Sequence, residues 1–239
     1  MTDRPSSDDM IRRDFALAHR VIAYEGMHEG TWNHLSVTVP SEPKQIYVTP
    51  GNRHFSGIHP DDILTMDEKG NLVGGHGQPN SSAWCLHYPM HEARPDAKCI
   101  IHLHPLKSTA MMMQAGNRLN ERANQMAASH YTEIAYYETY DGLLQEADEG
   151  RRMAEVLGDK SVLVLRNHGI MIVGETIGIA VERAYTFDRA CHLQLLADSS
   201  GRALSEIPDN LIAAIHEDEK EYLGDYFEGM RKQFDEQGL

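Results

Sequence analysis

Lys98-Cys-Ile-Ile-His-Leu-His-Pro105 is a short apolar run carrying two histidines two residues apart. In an extended strand residues i and i+2 point to the same side. His102 and His104 therefore project together, while Ile101 and Leu103 mark the opposite face as apolar. Two neutral imidazoles at that spacing suit one metal ion, which binds ring nitrogen at about 2.1 Å. The same pattern also describes two solvent-facing histidines on an amphipathic strand. Further along, Leu165-Arg-Asn-His-Gly169 sets His168 where a buried strand breaks at glycine, a common place for functional side chains. A core or turn histidine would read the same way.

Outward from this strand the chain alternates helical and extended patterns. Residues 9–25 place Ile11, Phe15, Ala18 and Ile22 on one helical face, with Ser7 or Asp8 as cap. His34–Val39 and Gln45–Thr49 read as an antiparallel pair across a Pro-rich turn, and short strands around Leu64 and Leu72 flank Asp67-Glu-Lys-Gly70. A helix capped by Ser81 or Ser82 runs to Arg94 and stops before Pro95. After the histidine strand come a helix Leu106–Ala115 closed by Gly116, a strand Glu133–Tyr137, a helix Leu143–Leu157 and a strand Ser161–Arg166. Asn167-His168-Gly169 breaks that strand and Ile170–Val173 continues it. A long helix over residues 176–198 and an amphipathic acidic tail at about 205–239 complete the chain. Leu211, Ile215, Tyr222 and Phe227 are among the tail's apolar positions. Strands occur both as hairpins and between helices. The expected class is α/β with a mixed, largely antiparallel sheet, in a single domain over residues 1–239.

Composition narrows the function. The 239 residues carry 22 Lys and Arg against 36 Asp and Glu, a net charge of −14, which argues against a nucleic-acid backbone or an anionic membrane as partner. An anionic small substrate stays open, because a metal ion reverses the field inside a cleft. The first residues lack the apolar core of a signal peptide, and no run is long enough to span a membrane. Cys85, Cys99 and Cys191 have no CxxC spacing and fit reduced thiols in a cytoplasmic protein. The chain has 14 histidines, and their excess is the compositional sign of chemistry.

The runs Pro79-Asn-Ser-Ser-Ala-Trp-Cys-Leu-His87, His91-Glu-Ala-Arg-Pro-Asp-Ala97, Ile101-His-Leu-His104 and Leu165-Arg-Asn-His-Gly169 occur in this order. Together they resemble the class II aldolase/adducin family over roughly residues 10–200. That family includes sugar-phosphate aldolases, a pentulose-phosphate epimerase, decarboxylases, dehydratases and the non-catalytic head of adducin. The resemblance implies a three-layer α/β/α sandwich and a homotetramer with active sites at subunit interfaces. It also implies one divalent metal ion per chain, held by His102, His104 and His168. Zinc is the first expectation, with manganese, cobalt or iron as alternatives.

The family pattern is broken at its catalytic position. The aldolases place a glutamate after the two serines, and the residue 19 positions before His102 is Ala83. Alanine neither binds metal nor moves a proton, so an ordinary sugar-phosphate aldolase is not expected. The aldolases' Gly-Asn-Val-Ser turn corresponds to the region Trp32-Asn-His-Leu-Ser36, and their Thr-Pro-Thr-Gly turn becomes Thr49-Pro-Gly-Asn52. The expected substrate site comprises His34, Asn52, Arg53, Ser81 and Ser82, with Lys107 as another source of positive charge. Half a phosphate site suggests a smaller anion such as a carboxylate. His87, four residues after Ala83 and four before His91, is a candidate acid/base or replacement ligand. Tyr131 is the nearest match to a tyrosine that the neighbouring subunit contributes as proton donor in related aldolases. Met111-Met-Met113 reads as packing rather than a sulfur metal site.

Three functions follow as expectations. The first is a metal-dependent lyase, a decarboxylase or atypical aldolase acting on a small hydroxy-, keto- or ring-hydroxy-carboxylate. Loss of carbon dioxide needs no starting base, so Ala83 is compatible with it. The others are a non-haem iron oxygenase on the same scaffold and an adducin-like binding module. Retention of all three histidines favours catalysis.

Overall fold

A computed structural model describes residues 6–139 and 147–238. The chain begins with α1 (Ser7–Tyr24), whose cap is Ser6. The Ser6 hydroxyl accepts from the Asp9 N–H, and the Asp9 carboxylate accepts from the Ser6 N–H. Capping at Ser7 or Asp8 would put Met10 or Ile11 at the reciprocating position, and neither carries the carboxylate or amide oxygen that a capping box needs.

Four strands follow, β1 (His34–Thr38), β2 (Ile46–Val48), β3 (Leu64–Met66) and β4 (Leu72–Gly74), as an antiparallel meander. Next is α2 (Ser81–Ala93), capped by Asn80 rather than by either serine, since the Asn80 side-chain Oδ1 accepts from the Ser82 N–H at 3.1 Å. The remaining elements are β5 (Cys99–Leu103), α3 (Leu106–Met112), a single turn α4 (Gln125–Ala128), β6 (Ile134–Tyr137), α5 (Ala147–Leu157), β7 (Val162–Leu165), β8 (Gly169–Gly174) and α6 (Ile177–Asp198). The first part of the expected Leu143–Leu157 helix, residues 143–146, lies outside the described residues. The acidic tail forms α7 (Asp209–Glu219) and α8 (Asp225–Gln237), separated at Gly224, whose φ of 105° no ordinary helix admits. Its buried face is Ile212, His216, Phe227, Met230 and Phe234, whereas Leu211 and Tyr222 face outward.

The eight strands form one sheet in the order β4-β3-β2-β1-β5-β8-β7-β6, antiparallel except for the β6–β7 pair. One sequence expectation fails here. The chain does not run straight through Asn167-His168-Gly169 but reverses, so β7 and β8 are hairpin partners with Leu165 opposite Gly169. Asn167 takes a left-handed φ of 59°, which asparagine tolerates better than other side chains, and this turns the chain back.

Helices cover both faces. Leu35, Val37, Ile101, Leu103, Val164 and Ile172 pack toward residues of α1, α3, α6 and α8. Ile100, Leu163, Met171 and Val173 pack toward α2 and α5, and Ile46, Val48, Leu64 and Met66 close over Ala83 and Tyr88. The result is a three-layer α/β/α sandwich. No described helix is long and apolar enough to cross a membrane.

Candidate metal centre

Antiparallel pairing gathers the histidines. His102 lies in β5 and His104 just past its end, where the chain turns into α3. Leu103 pairs with Ile170 of β8, so His168, in the hairpin turn two residues earlier, falls beyond the same end of the sheet. The three rings meet with centroids 4.6–4.9 Å apart, and one nitrogen from each lies within 4.8 Å of the others. Gly169 makes the approach possible. A Cβ there would lie 2.3 Å from the Leu103 carbonyl oxygen and 2.7 Å from His104 Cδ2.

Hydrogen bonds orient two of the rings. His102 donates Nδ1–H to the Ile170 carbonyl at 3.0 Å, and His104 donates Nδ1–H to Glu29 Oε2 at 2.6 Å. Both Nε2 atoms are then left as acceptors, 3.0 Å apart. Two lone pairs at that distance repel unless a cation or a proton lies between them. Two ligands bonded at about 2.1 Å to one ion are themselves separated by roughly 3 Å. The donor set thus fits a divalent metal ion. A carbonyl or carboxylate behind each ligating imidazole is the usual means of fixing its tautomer.

Burial keeps His102 and His168 neutral. Burial, then the neighbouring imidazoles His34, His104 and His168, hold His102 well below the ordinary histidine range. Burial and His104 push His168 down to about 4. Neutral imidazole is the form that binds a metal. Glu29 is held in place by its own loop, where the Glu29 N–H donates to Asn33 Oδ1 at 2.5 Å and the Trp32 N–H to the Glu29 carbonyl.

The sandwich fold is shared with known proteins. The family described as Class II Aldolase and Adducin N-terminal domain matches residues 13–195. The chain belongs to this family. It is 32% identical over 195 residues to decarboxylase NovR of Streptomyces niveus, covering 81% of this chain and 71% of that one. It is 33% identical over 190 residues to the 4-hydroxy-3-prenylphenylpyruvate oxygenase/4-hydroxy-3-prenylbenzoate synthase of Streptomyces roseochromogenus, covering 79% and 68%. An aldolase II superfamily protein from Pseudomonas syringae superposes with a TM-score of 0.88 at 25% identity, over 99% of this chain and 96% of that one.

The other expected site residues of this class II aldolase/adducin chain divide into two groups. His34 joins the centre from β1, directly opposite His102, with ring centroids 4.9 Å apart. His87 lies one layer behind. Its Nε2 bonds His34 and its Nδ1 bonds the Ser36 hydroxyl, so both nitrogens are occupied and neither serves as a ligand. Ser81 and Ser82 form the first turn of α2, and Ala83 is fully buried against Ile46, Leu64 and Tyr88.

Asn52 occupies a left-handed turn after β2, and the Arg53 guanidinium is engaged by Asp62 at 2.5 Å. Lys107 faces Asp188 at 3.7 Å. Tyr131 packs near His216 of α7 and precedes β6. Because β6 runs parallel to β7, whose far end leads to His168, Tyr131 lies at the opposite end of the sheet from its own triad. Met111 and Met112 are core, while Met113 is exposed.

Sequence reasoning missed Glu29, which is 75 positions from His104 and carries no motif. It also missed Ser36, although Ser36 is two residues from His34 and therefore on the same face of β1.

Proposed function

We propose that the protein is a metal-dependent carbon–carbon lyase of the decarboxylase type, acting on a small hydroxy-, keto- or ring-hydroxy-carboxylate. The observation that carries this reading is the triad itself: three imidazoles, two of them oriented to aim Nε2 at one point, with alanine in place of the family's catalytic glutamate. A divalent ion held there would supply Lewis-acid chemistry. His102, His104 and His168 would hold the ion, while Glu29 and the Ile170 carbonyl fix the rings. Decarboxylation breaks the carbon–carbon bond, leaves the electron pair on the substrate and asks the protein only for a final proton. A buried Ala83 is compatible with that demand and not with the proton shuttling of an aldolase. The similarity to decarboxylase NovR supports the same choice.

Zinc is the favoured ion, with manganese, cobalt or iron as alternatives. We further take the protein to be a cytoplasmic homotetramer with interfacial sites. Trp32 and Leu106, 68% and 76% exposed, flank Glu29 and His104, and support a neighbour covering the rim. Tyr131 would then reach a triad only from an adjacent subunit. A non-haem iron oxygenase is the second reading, favoured by the similarity to the prenylphenylpyruvate oxygenase.

Elemental analysis of protein purified in air and anaerobically, with His104→Ala as control, tests the proposal together with carbon dioxide release from a panel of hydroxy- and keto-acids. About one zinc, manganese or cobalt per chain, lost in the variant, is the expected result. Iron with oxygen consumption would replace the lyase by the oxygenase. No metal under any loading condition would leave a binding module.

A further inference from the structure

Behind the triad runs a second, fully buried polar chain whose directionality can be deduced link by link. His34 and Ser36 lie two apart on β1, and His87 and His91 lie four apart on α2, which packs over that strand. The Ala97 carbonyl can only accept, so His91 donates Nδ1–H to it at 2.6 Å. A neutral His91 then has a bare Nε2, which must accept from the Ser36 hydroxyl at 2.8 Å. Having spent its one proton, Ser36 Oγ accepts from His87 Nδ1–H at 2.8 Å. His87 Nε2 is in turn bare and accepts from His34 Nδ1–H at 3.0 Å. Reversing the order would require a doubly protonated His91, and burial drives that ring's pKa down to about 4.

We infer that this chain sets His34 in the Nδ1–H tautomer and makes it a specificity-determining residue, whose Nε2 lone pair accepts from a hydroxyl or water at the triad and repels an anionic oxygen. Among the described residues Nε2 of His34 has no hydrogen-bond partner, and the ring lies between those of His87 and His102. The chain ends on a backbone carbonyl, so it transmits orientation and does not conduct protons to solvent. His91, Ser36 and His87 are positioning residues acting through His34. The ligand class thus becomes one that places a neutral O–H, not a phosphate or carboxylate oxygen, against β1. The identity of the ligand rests on the triad being the reaction centre; the tautomer does not.

Neutron diffraction from a deuterium-exchanged crystal tests the tautomer directly. Deuterons are expected on Nδ1 of His34, His87 and His91 and on Ser36 Oγ, with none on His34 Nε2. A deuteron on that nitrogen would overturn the inference. Titration calorimetry with inorganic phosphate at equal metal load tests the consequence. Ser36→Ala frees His87 to move its proton to Nε2, which turns His34 into a donor toward the site. Phosphate should then bind at least about tenfold tighter than to wild type, while Ser36→Thr, which keeps the hydroxyl, stays at the wild-type value. Equal or weaker binding to Ser36→Ala, or Ser36→Thr shifting with it, would refute the role. Failure of the lyase reading alone would leave the deuteron positions as stated, so the two failures are distinguishable.

Discussion

Replacing Glu29 separates orientation from charge at the metal centre. Its carboxylate accepts from His104 Nδ1 at 2.6 Å, the length of a charge-assisted bond, while half of the side chain (52%) stays exposed to solvent. Loss of such a partner behind a ligating histidine typically weakens metal binding about 10–100-fold, or roughly 1.4–2.7 kcal/mol. Solvent screening of a half-exposed carboxylate places this site in the lower part of that range. Glu29→Gln keeps an acceptor for Nδ1–H but loses the charge, and should cost less than about tenfold in zinc affinity. Glu29→Ala loses both and lets the His104 ring rotate or change tautomer, so about 30-fold is expected. Competition with a chromophoric chelator at pH 7 reads both values. Raising the salt should shrink the gap between wild type and Gln, which is electrostatic, and leave the gap between Gln and Ala. Zinc binding by Glu29→Ala that equals wild type would refute the assignment of Glu29 as the orienting partner.

Gly169→Ala would drive a Cβ to 2.3 Å from the Leu103 carbonyl oxygen, so β8 must move off β5 and carry His168 with it. A destabilisation of about 2–3 kcal/mol is expected, with a parallel loss of zinc affinity. Gly229→Ala in α8, with open space around its Cβ, should instead stabilise by about 0.5–1 kcal/mol, and urea melts of the two variants check the contrast. The buried histidines predict acid lability. Burial pushes His19 and His91 down to about 4 and His130 to about 3, each from an unfolded value of 6.5. The unfolded chain therefore takes up protons first, and stability present above pH 6.5 is lost as the pH falls toward 4. Each group contributes about 2 kcal/mol of loss at pH 5. Urea midpoints that stay flat or rise between pH 7 and 5 would contradict the sign.

Much of the architecture was legible in local patterns. Alternation marked the β1–β2 hairpin, the apolar run at residues 98–104 marked β5, and HxH set His102 and His104 on one side, while His168 joined them only through the family resemblance. Those signals are encoded by residues a few positions apart, where strand and helix periods dictate which side chains share a face. The reversal at Asn167 was not legible, because a strand interrupted by a turn and a strand that bends back have the same apolar pattern. The cap at Ser6 was missed for a related reason: which serine accepts depends on which reciprocal partner the backbone brings within reach.

By itself, then, the sequence determined the family and the mixed-sheet class, and it singled out the three histidines and Ala83 as candidates. Only the tertiary structure decided that Glu29 stands behind His104, that both nitrogens of His87 are spent, and that Ser36 and His91 extend the line to Ala97. It also put Tyr131 at the far end of the sheet from its own triad. These are pairings between residues up to 75 positions apart. A hydrogen bond's direction depends on the partner's chemistry, and no periodicity along one segment can specify a partner on another.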